Sequence, residues 1–193
     1  MAQSVDVATR AVTGDLTVGI IGLGYVGLPT SIGFHDAGFN VWGVDVSQRT
    51  VDMVRAGENP TGDPDVDDIV PAPGTERWNI TTSTAEAVPH CDVVLVTVPT
   101  PITHDLKPDL SYVEAAGRAV FEAIPKGSNT VVVLESTVYP GVTAQTWSSE
   151  RKRSDWSGSA RRSWPVALIG PQTVKRVCAN DCRPPRCACD WPR

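Results

Sequence analysis

The chain has 193 residues, of which 41% are hydrophobic and 20% charged, so it has enough apolar material for the core of one domain or slightly more. Its longest apolar run, around residues 93–98, is far too short to cross a lipid bilayer. Because the first ten residues also lack the basic start and apolar stretch of a signal peptide, we expect a cytoplasmic protein with no membrane partner.

Short β-branched runs alternate with longer amphipathic stretches from Leu16 to Gln145, and this alternation is typical of βαβ units. The predicted strands are residues 16–21, 40–45, 79–82, 92–98 and 130–135. Most of them are nearly continuous in Val, Ile and Leu, as expected for strands that helices cover on both faces. The sequence therefore predicts the α/β class, with a doubly wound parallel sheet.

Helices are predicted at residues 25–37, 48–56 and 112–124. Before the last of these, Ser111 and Glu114 have capping-box spacing, which predicts Ser111 as the N-cap. An apolar stripe recurs every four residues along this helix, at Tyr112, Ala116, Val120 and Ile124. Residues 57–76 are rich in Pro, Gly and Asp, and predict a solvated loop with one helical turn at 66–70.

The segment "VGIIGLGYVGLP" carries a G-x-G-x-x-G pattern at Gly22, Gly24 and Gly27, between a predicted strand and a predicted helix. Gly22 permits a tight turn, Gly24 lets the backbone approach a pyrophosphate, and Gly27 lets helix and strand pack closely. The helix N-terminus adds N–H groups and a positive dipole end for the phosphates. This context predicts a Rossmann-like fold that binds a dinucleotide.

Asp45 ends the second predicted strand, eighteen residues after Gly27, where an acidic residue is expected to meet the adenosine ribose. A carboxylate accepts hydrogen bonds from the ribose hydroxyls and repels the 2′-phosphate of NADP. The predicted cofactor is therefore NAD, although Arg49 close by leaves NADP open. An ordinary strand-end or N-cap carboxylate is the alternative interpretation of Asp45.

Four segments in order resemble the N-terminal domain of nucleotide-sugar 6-dehydrogenases, the UDP-glucose/GDP-mannose dehydrogenase family. They are "GLGYVGLPT" at 22–30, "VTVPTP" at 96–101, "KPDLSYVEAAGRAV" at 107–120 and "VVLESTVYPGVT" at 132–143. The wording of "VPTP" and "PDLSYVEAA" is similar to the branch that oxidises UDP-N-acetylmannosamine and related UDP-N-acetylhexosamines.

The resemblance implies a set of NAD contacts at the glycine loop and at two later strand ends. These are Gly22, Leu23, Gly24, Tyr25, Val26, Gly27, Asp45, Thr100 and Thr137. Thr137 would also lie near the reacting centre and assist the water or the oxyanion. Thr100 and Thr137 follow predicted strands, and ligands of open α/β sheets collect at the carboxyl ends of strands.

The family reaction, as the resemblance implies it, oxidises a sugar C6 alcohol to a carboxylate with two NAD, through a thiohemiacetal on a cysteine. The family's catalytic Cys, Lys, Asn and Asp, and the Glu of an "SPER"-like segment, have no match here. Cys91 opens a buried strand and is expected to be an inert small hydrophobe. The histidines His35, His90 and His104 are isolated and are expected at the surface or in loops. We expect this chain alone to be inactive.

Two other functions remain open at this point. One is a non-catalytic NAD-binding or regulatory protein. The other is a different Rossmann dehydrogenase, of the hydroxyacid or 6-phosphogluconate type. Those enzymes commonly have G-x-G-x-M-G, so Val26 and the downstream "VPTP" and "EST" segments argue against them.

The resemblance fades near residue 146, where the charge also changes sign. Residues 1–146 carry 18 acidic and 7 basic side chains, and residues 147–193 carry 4 acidic and 10 basic ones. We therefore predict an incomplete NAD-binding domain at 1–146 and a non-family tail at 147–193, frameshifted or disordered. The family dimerises largely through a central helix that has no match here, so the dimer contacts are expected to be missing.

The tail carries two features that suggest a binding site. Its basic residues are scattered among Pro, Trp and Cys without helical spacing, so we expect no nucleic-acid partner. A zinc site is the alternative function for the four cysteines of the tail, Cys178, Cys182, Cys187 and Cys189. Structural zinc usually takes paired C-x₂₋₄-C units that are separated by a longer span, which folds around the metal. Here the gaps are three, four and one residues, with two prolines in the middle and no longer span between pairs. We predict no metal site.

Overall fold

A computed structural model of the chain describes residues 10, 14–102, 108–128, 130–136, 138 and 147. These residues form a five-stranded parallel sheet in the order β3-β2-β1-β4-β5. The strands are β1 (Thr17–Ile21), β2 (Asn40–Val44), β3 (Trp78–Thr81), β4 (Val93–Val96) and β5 (Val131–Leu134). All five predicted strands are present, and the predicted doubly wound α/β class is confirmed.

The helices of the described residues lie on the two faces of this sheet. They are α1 (Gly27–Asp36), α2 (Gln48–Arg55), α3 (Thr84–Ala87) and α4 (Ser111–Ala123), with 3₁₀ turns at Pro64–Val66 and Val88–His90. One apolar core lies on the α1 and α2 face and includes Leu28, Ile32 and Val51. The other lies on the α4 face and includes Val113 and Val120. The chain direction across the sheet reverses between β1 and β4, where α/β proteins bind their ligands.

The parallel register aligns the carboxyl ends of four neighbouring strands. Ile21 of β1 is aligned with Val44 of β2 and Val96 of β4, and Val96 is aligned with Leu134 of β5. The residues that follow these strand ends therefore lie side by side along one edge of the sheet. This edge carries the candidate site.

The N-terminus of α4 differs from the prediction. Leu110 occupies the N-cap position without a side-chain hydrogen bond, and Asp109 Oδ1 accepts the amide of Ser111 at 2.9 Å. The Ser111 capping box is therefore wrong, because a carboxylate two residues earlier already binds the amide at the start of the helix. Hydrogen bonds from the amide and the side chain of Ser111 lower the pKa of Asp109.

The buried face of α4 agrees with the predicted stripe at Val120 and Ile124 but is rotated from it in the first turns. Val113, Gly117 and Val120 are buried, whereas Tyr112 is 51% exposed. Trp147 determines this rotation, because its indole packs on Gly117 and its Nε1 donates to the carbonyl of Val113 at 3.3 Å. The domain boundary at residue 146 stays a prediction, but Trp147 lies beyond it and is buried in the core.

Other local expectations have mixed outcomes. The turn predicted at 66–70 lies at Pro64–Val66, because Pro64 begins it and Asp63 Oδ1 accepts the amide of Asp65 at 3.1 Å. The surface placement of the histidines is wrong for His35, whose side chain is 14% exposed and packs edge-on against Trp78. His90 is exposed and stacks on Trp42, and His104 lies outside the described residues.

Candidate dinucleotide-binding site

Four residues form a row across the carboxyl edge of the sheet. Asp45, Gly22, Thr97 and Glu135 each come directly after a strand end, and their amides continue the ladder between the strands. Gly22 donates to Val44 at 2.7 Å, Thr97 to Ile21 at 2.9 Å and Glu135 to Val96 at 2.9 Å. The backbone ladder therefore fixes the row, and the glycine loop rises from its middle.

The glycine loop uses its three glycines for three different reasons. Gly22 has a φ of +101°, which favours glycine, and a Cβ there would lie 3.3 Å from the backbone of Thr97. A Cβ at Gly27 would overlap the carbonyl oxygen of Gly22. A Cβ at Gly24 would meet nothing within 4 Å, so it would project into the open space in front of the loop. Gly22 and Gly27 serve the fold, and Gly24 leaves room for a ligand.

The N-terminus of α1 offers an uncompensated positive dipole end to that space. Its N-cap residue, Val26, provides no side-chain hydrogen bond, and its first turn contains no acidic residue. By contrast, Ser47 caps α2 by accepting the amide of Thr50 at 3.3 Å. An anion at the loop would supply what α1 lacks, as a pyrophosphate does at helix N-termini.

Asp45 is attached to the glycine loop by a hydrogen bond. Its Oδ2 accepts the amide of Leu23 at 2.9 Å, and its Oδ1 accepts the amide of Ser47 at 2.9 Å. Each carboxylate oxygen has a further lone pair, so the partly exposed group can still accept hydrogen bonds from a diol. The Leu23 side chain is buried, so this residue acts on the site through its backbone.

Apolar side chains are exposed beside the loop and Asp45. Tyr25 is 70% exposed, Val26 45% and Val46 97%. Exposed apolar groups gathered around polar ones are typical of ligand sites. The loop, the helix N-terminus and Asp45 therefore fit a dinucleotide, with an anion at α1 and a diol at Asp45.

A sequence model of the "UDP-glucose/GDP-mannose dehydrogenase family, NAD binding domain" matches residues 16–162, which is more than half of the chain. The chain belongs to the UDP-glucose/GDP-mannose dehydrogenase family. The predicted family, the NAD-binding function of this domain and NAD as its cofactor are confirmed. The matched range extends past residue 146 and includes Trp147.

Curated relatives in the family are dehydrogenases of nucleotide sugars. The chain is 35% identical over 161 residues to NDP-N-acetyl-D-galactosaminuronic acid dehydrogenase of Ralstonia nicotianae, covering 83% of this chain and 34% of that protein. It is 36% identical over 158 residues to UDP-N-acetyl-D-mannosamine dehydrogenase of Escherichia coli, covering 82% and 34%. The chain thus spans about a third of the length of these relatives.

Solved structures of the family share the fold. GDP-mannose dehydrogenase from Pseudomonas aeruginosa has a TM-score of 0.67 and 32% identity, over 71% of this chain and 32% of that one. UDP-D-ManNAc dehydrogenase from Pyrococcus horikoshii has a TM-score of 0.63 and 30% identity, over 72% and 32%. The sheet described above is therefore the family's NAD-binding architecture.

The family site contains one supporting residue that the sequence did not reveal. Thr97 Oγ1 donates to the carbonyl of Gly22 at 2.8 Å and lies within 3.1 Å of the carbonyl of Ile21. It holds the glycine loop onto β4 from a distance of about 75 residues along the chain. A signal was available, since Thr97 is a polar residue in the otherwise apolar run "VVLVTV".

One of the two predicted threonines lies among the described residues. Thr100 follows β4 at the same carboxyl edge and is partly buried. Thr137 lies outside the described residues, so its predicted contacts stay a prediction. Among the described residues, no cluster of three or more His, Cys, Asp or Glu side chains could hold a metal ion. The four cysteines of the tail lie outside them.

Cys91 lies in an environment that disfavours a thiolate. It is buried against Gly19, its Sγ contacts the carbonyl of Ala87 at 3.2 Å, and burial raises its pKa to about 12. The expectation that Cys91 packs as a small buried residue is confirmed. Within the part of the chain that is described, no helix has the length and apolar character needed to cross a bilayer.

Proposed function

We propose that this chain forms the NAD-binding part of an enzyme that oxidises the C6 alcohol of a UDP-sugar to the uronic acid, with two NAD used per sugar. The observation that carries the proposal is the bond from Leu23 to Asp45, which holds a carboxylate beside an open glycine loop. A carboxylate in that position suits ribose hydroxyls and repels a 2′-phosphate. Family membership supports the reaction class.

A UDP-N-acetylhexosamine is the proposed sugar substrate. The support is the names of the relatives from Escherichia coli and Ralstonia nicotianae, which are dehydrogenases of N-acetylated nucleotide sugars. A uronic acid product suits polysaccharide biosynthesis in the cytoplasm. The sugar site and the dimer contacts are proposed for the longer family members, since this chain spans about a third of their length.

Each proposed site residue has a binding or orienting role. When bound, NAD supplies the hydride acceptor. Gly24 lets the backbone approach the pyrophosphate, Gly22 and Gly27 shape the loop around it, and Asp45 accepts hydrogen bonds from the adenosine ribose. Thr100 and Thr137 are proposed on the nicotinamide side, where Thr137 assists the water or the oxyanion.

We further propose that the isolated chain binds NAD without turning over a sugar nucleotide. The family route needs an activated thiolate. Cys91, the cysteine of the described residues, is buried with its pKa raised to about 12, so it does not supply one.

Calorimetry with NAD, followed by an assay of NADH absorbance with UDP-N-acetylmannosamine, tests both proposals on the 193-residue chain. We expect NAD binding and no sustained NADH formation. Absence of NAD binding would contradict the first proposal. Sustained NADH formation would contradict the second, and a Cys91→Ser variant assayed in parallel would show whether Cys91 is responsible.

A further inference from the structure

Glu135 is the last member of the row at the carboxyl edge, on the opposite side of the glycine loop from Asp45. Its amide continues the β4–β5 ladder by donating to Val96 at 2.9 Å. Aligned residues of parallel strands point to the same face of a sheet. The register therefore places the Glu135 side chain on the same face as Asp45 and Thr97.

The Glu135 carboxyl group has an unusual environment for a strand-end residue. Its Oε2 is buried, and among the described residues it has no hydrogen-bond partner. Its neighbour Ser136 is held in place, because its Oγ donates to the carbonyl of Val98 at 2.6 Å. Burial also raises the pKa of Glu135. A buried polar atom without a partner is costly, and at a ligand-binding edge a ligand can satisfy it.

The strand order determines which part of a dinucleotide lies near Glu135. With the adenosine ribose at Asp45, as proposed above, the ribose would lie over β2 and the pyrophosphate over β1, so the nicotinamide half would extend over β4 and β5. Glu135 follows β5. It is therefore on the side of the sheet where the nicotinamide would lie.

We propose that Glu135 is a cofactor-binding residue that accepts a hydrogen bond from the carboxamide NH₂ of the nicotinamide. The proposal rests on the proposed function, since it requires NAD to lie across the row from Asp45. A carboxyl group accepts from an amide NH₂ whether or not it is ionised, and when protonated it also donates to the amide oxygen. The contact would fix the rotation of the nicotinamide ring. When Glu135 is ionised, it would also discriminate against a ligand with a carboxylate at that position.

Three ligands separate this contact from the rest of the site: NAD, ADP-ribose, which lacks the nicotinamide, and nicotinic acid adenine dinucleotide, in which a carboxylate replaces the carboxamide. Their dissociation constants are measured by calorimetry with the full 193-residue chain and with Glu135→Ala, Glu135→Gln and Glu122→Gln. Glu122 is an exposed residue of α4 and serves as the matched control.

At a pH at which Glu135 is ionised, we expect the wild-type chain to prefer NAD over nicotinic acid adenine dinucleotide by about tenfold or more. The reason is that the acid analogue loses one hydrogen bond and adds a repulsion between two carboxylates. Glu135→Ala should weaken NAD binding by about tenfold without changing ADP-ribose affinity. Glu135→Gln should keep NAD affinity and abolish or reverse the preference, because an amide NH₂ donates to a carboxylate. Glu122→Gln should change none of these values.

Three results would overturn the assignment. Unchanged preference in both Glu135 variants would show that the carboxamide does not contact Glu135. Equal losses of NAD and ADP-ribose affinity in both variants would show a purely structural role. A wild-type chain that binds neither NAD nor ADP-ribose would contradict the proposed function itself, and this contact with it.

Discussion

Asp45 acts on the site through charge and through hydrogen bonds, and the two can be separated. We predict that Asp45→Asn narrows the preference for NAD over NADP, because it removes the repulsion of the 2′-phosphate while it keeps an acceptor oxygen. The wild-type preference is expected to be about 10- to 100-fold, from a charged hydrogen bond of about 1.5–3 kcal/mol. Calorimetry with both cofactors measures it, and Asp36→Asn at the far end of α1 is the control. An unchanged preference would remove Asp45 from the ribose site.

Gly24 separates ligand binding from folding at a single residue. Because a Cβ there meets nothing within 4 Å, Gly24→Ala should leave the melting temperature nearly unchanged. The added methyl group projects into the space proposed for the pyrophosphate, so NAD affinity should fall by about tenfold or more. If NAD binds the variant as tightly as the wild type, the pyrophosphate does not approach Gly24.

At the residue scale the sequence predicted the glycine loop and Asp45 because their spacing along the chain is nearly local. It missed Thr97, which binds Gly22 through a contact about 75 residues away. It also could not show that the Leu23 amide is bound to Asp45, since a sequence pattern gives positions and not hydrogen-bond partners.

Among the elements, the N-terminus of α4 depends on Asp109. We predict that Asp109→Ala lowers the melting temperature at pH 7, whereas Ser111→Ala has a smaller effect, because the Ser111 side chain does not cap the helix. The pKa of Asp109 is lowered in the folded chain, so its contribution is present above the unfolded pKa and is lost as the pH falls through the folded pKa. The difference between wild type and Asp109→Ala should therefore disappear in acid. A persistent difference would contradict the carboxylate cap.

Replacing two helical glycines with alanine should change the stability of the fold in opposite directions. Gly33 of α1 has open space at its Cβ, so Gly33→Ala should stabilise the fold by about 0.5–1 kcal/mol through helix propensity. A Cβ at Gly117 of α4 would lie closer than 3.0 Å to atoms of the Trp147 indole, so Gly117→Ala should destabilise it despite the same propensity gain. Chemical denaturation measures both. Stabilisation by Gly117→Ala would mean that Trp147 does not pack there.

The strands were predictable because parallel strands buried on both faces are continuous apolar runs. The short α3 and the turn after it were not, since four helical residues carry too little periodicity. The stripe on α4 was correct at Val120 and Ile124 and wrong at Tyr112, because at the start of the helix Val113 and Gly117 face Trp147, a partner distant in sequence. Elements with strong local patterns were predictable, and those shaped by long-range packing were not.

For the whole molecule, the burial of Trp147 determines how far the C-terminus can be truncated before the melting temperature falls. Replacing a buried Trp with Ala typically costs about 3–5 kcal/mol, so a chain that ends at residue 146 should melt well below the full chain. Removing only residues 163–193, which lie beyond the family match, should leave the melting temperature and the NAD affinity unchanged. Metal analysis of the full chain should find no stoichiometric zinc. Equal melting temperatures for the two truncations would show that Trp147 contributes little.

The central claim is that NAD lies along the carboxyl edge of this sheet, from Asp45 across the glycine loop. The most direct measurement is amide NMR of the isotope-labelled chain during titration with NAD. We predict that the largest shifts fall on Leu23, Gly24, Tyr25 and Asp45, with Glu135 shifting for NAD and much less for ADP-ribose. Shifts confined to the opposite edge of the sheet, or no shifts at saturating NAD, would contradict the account.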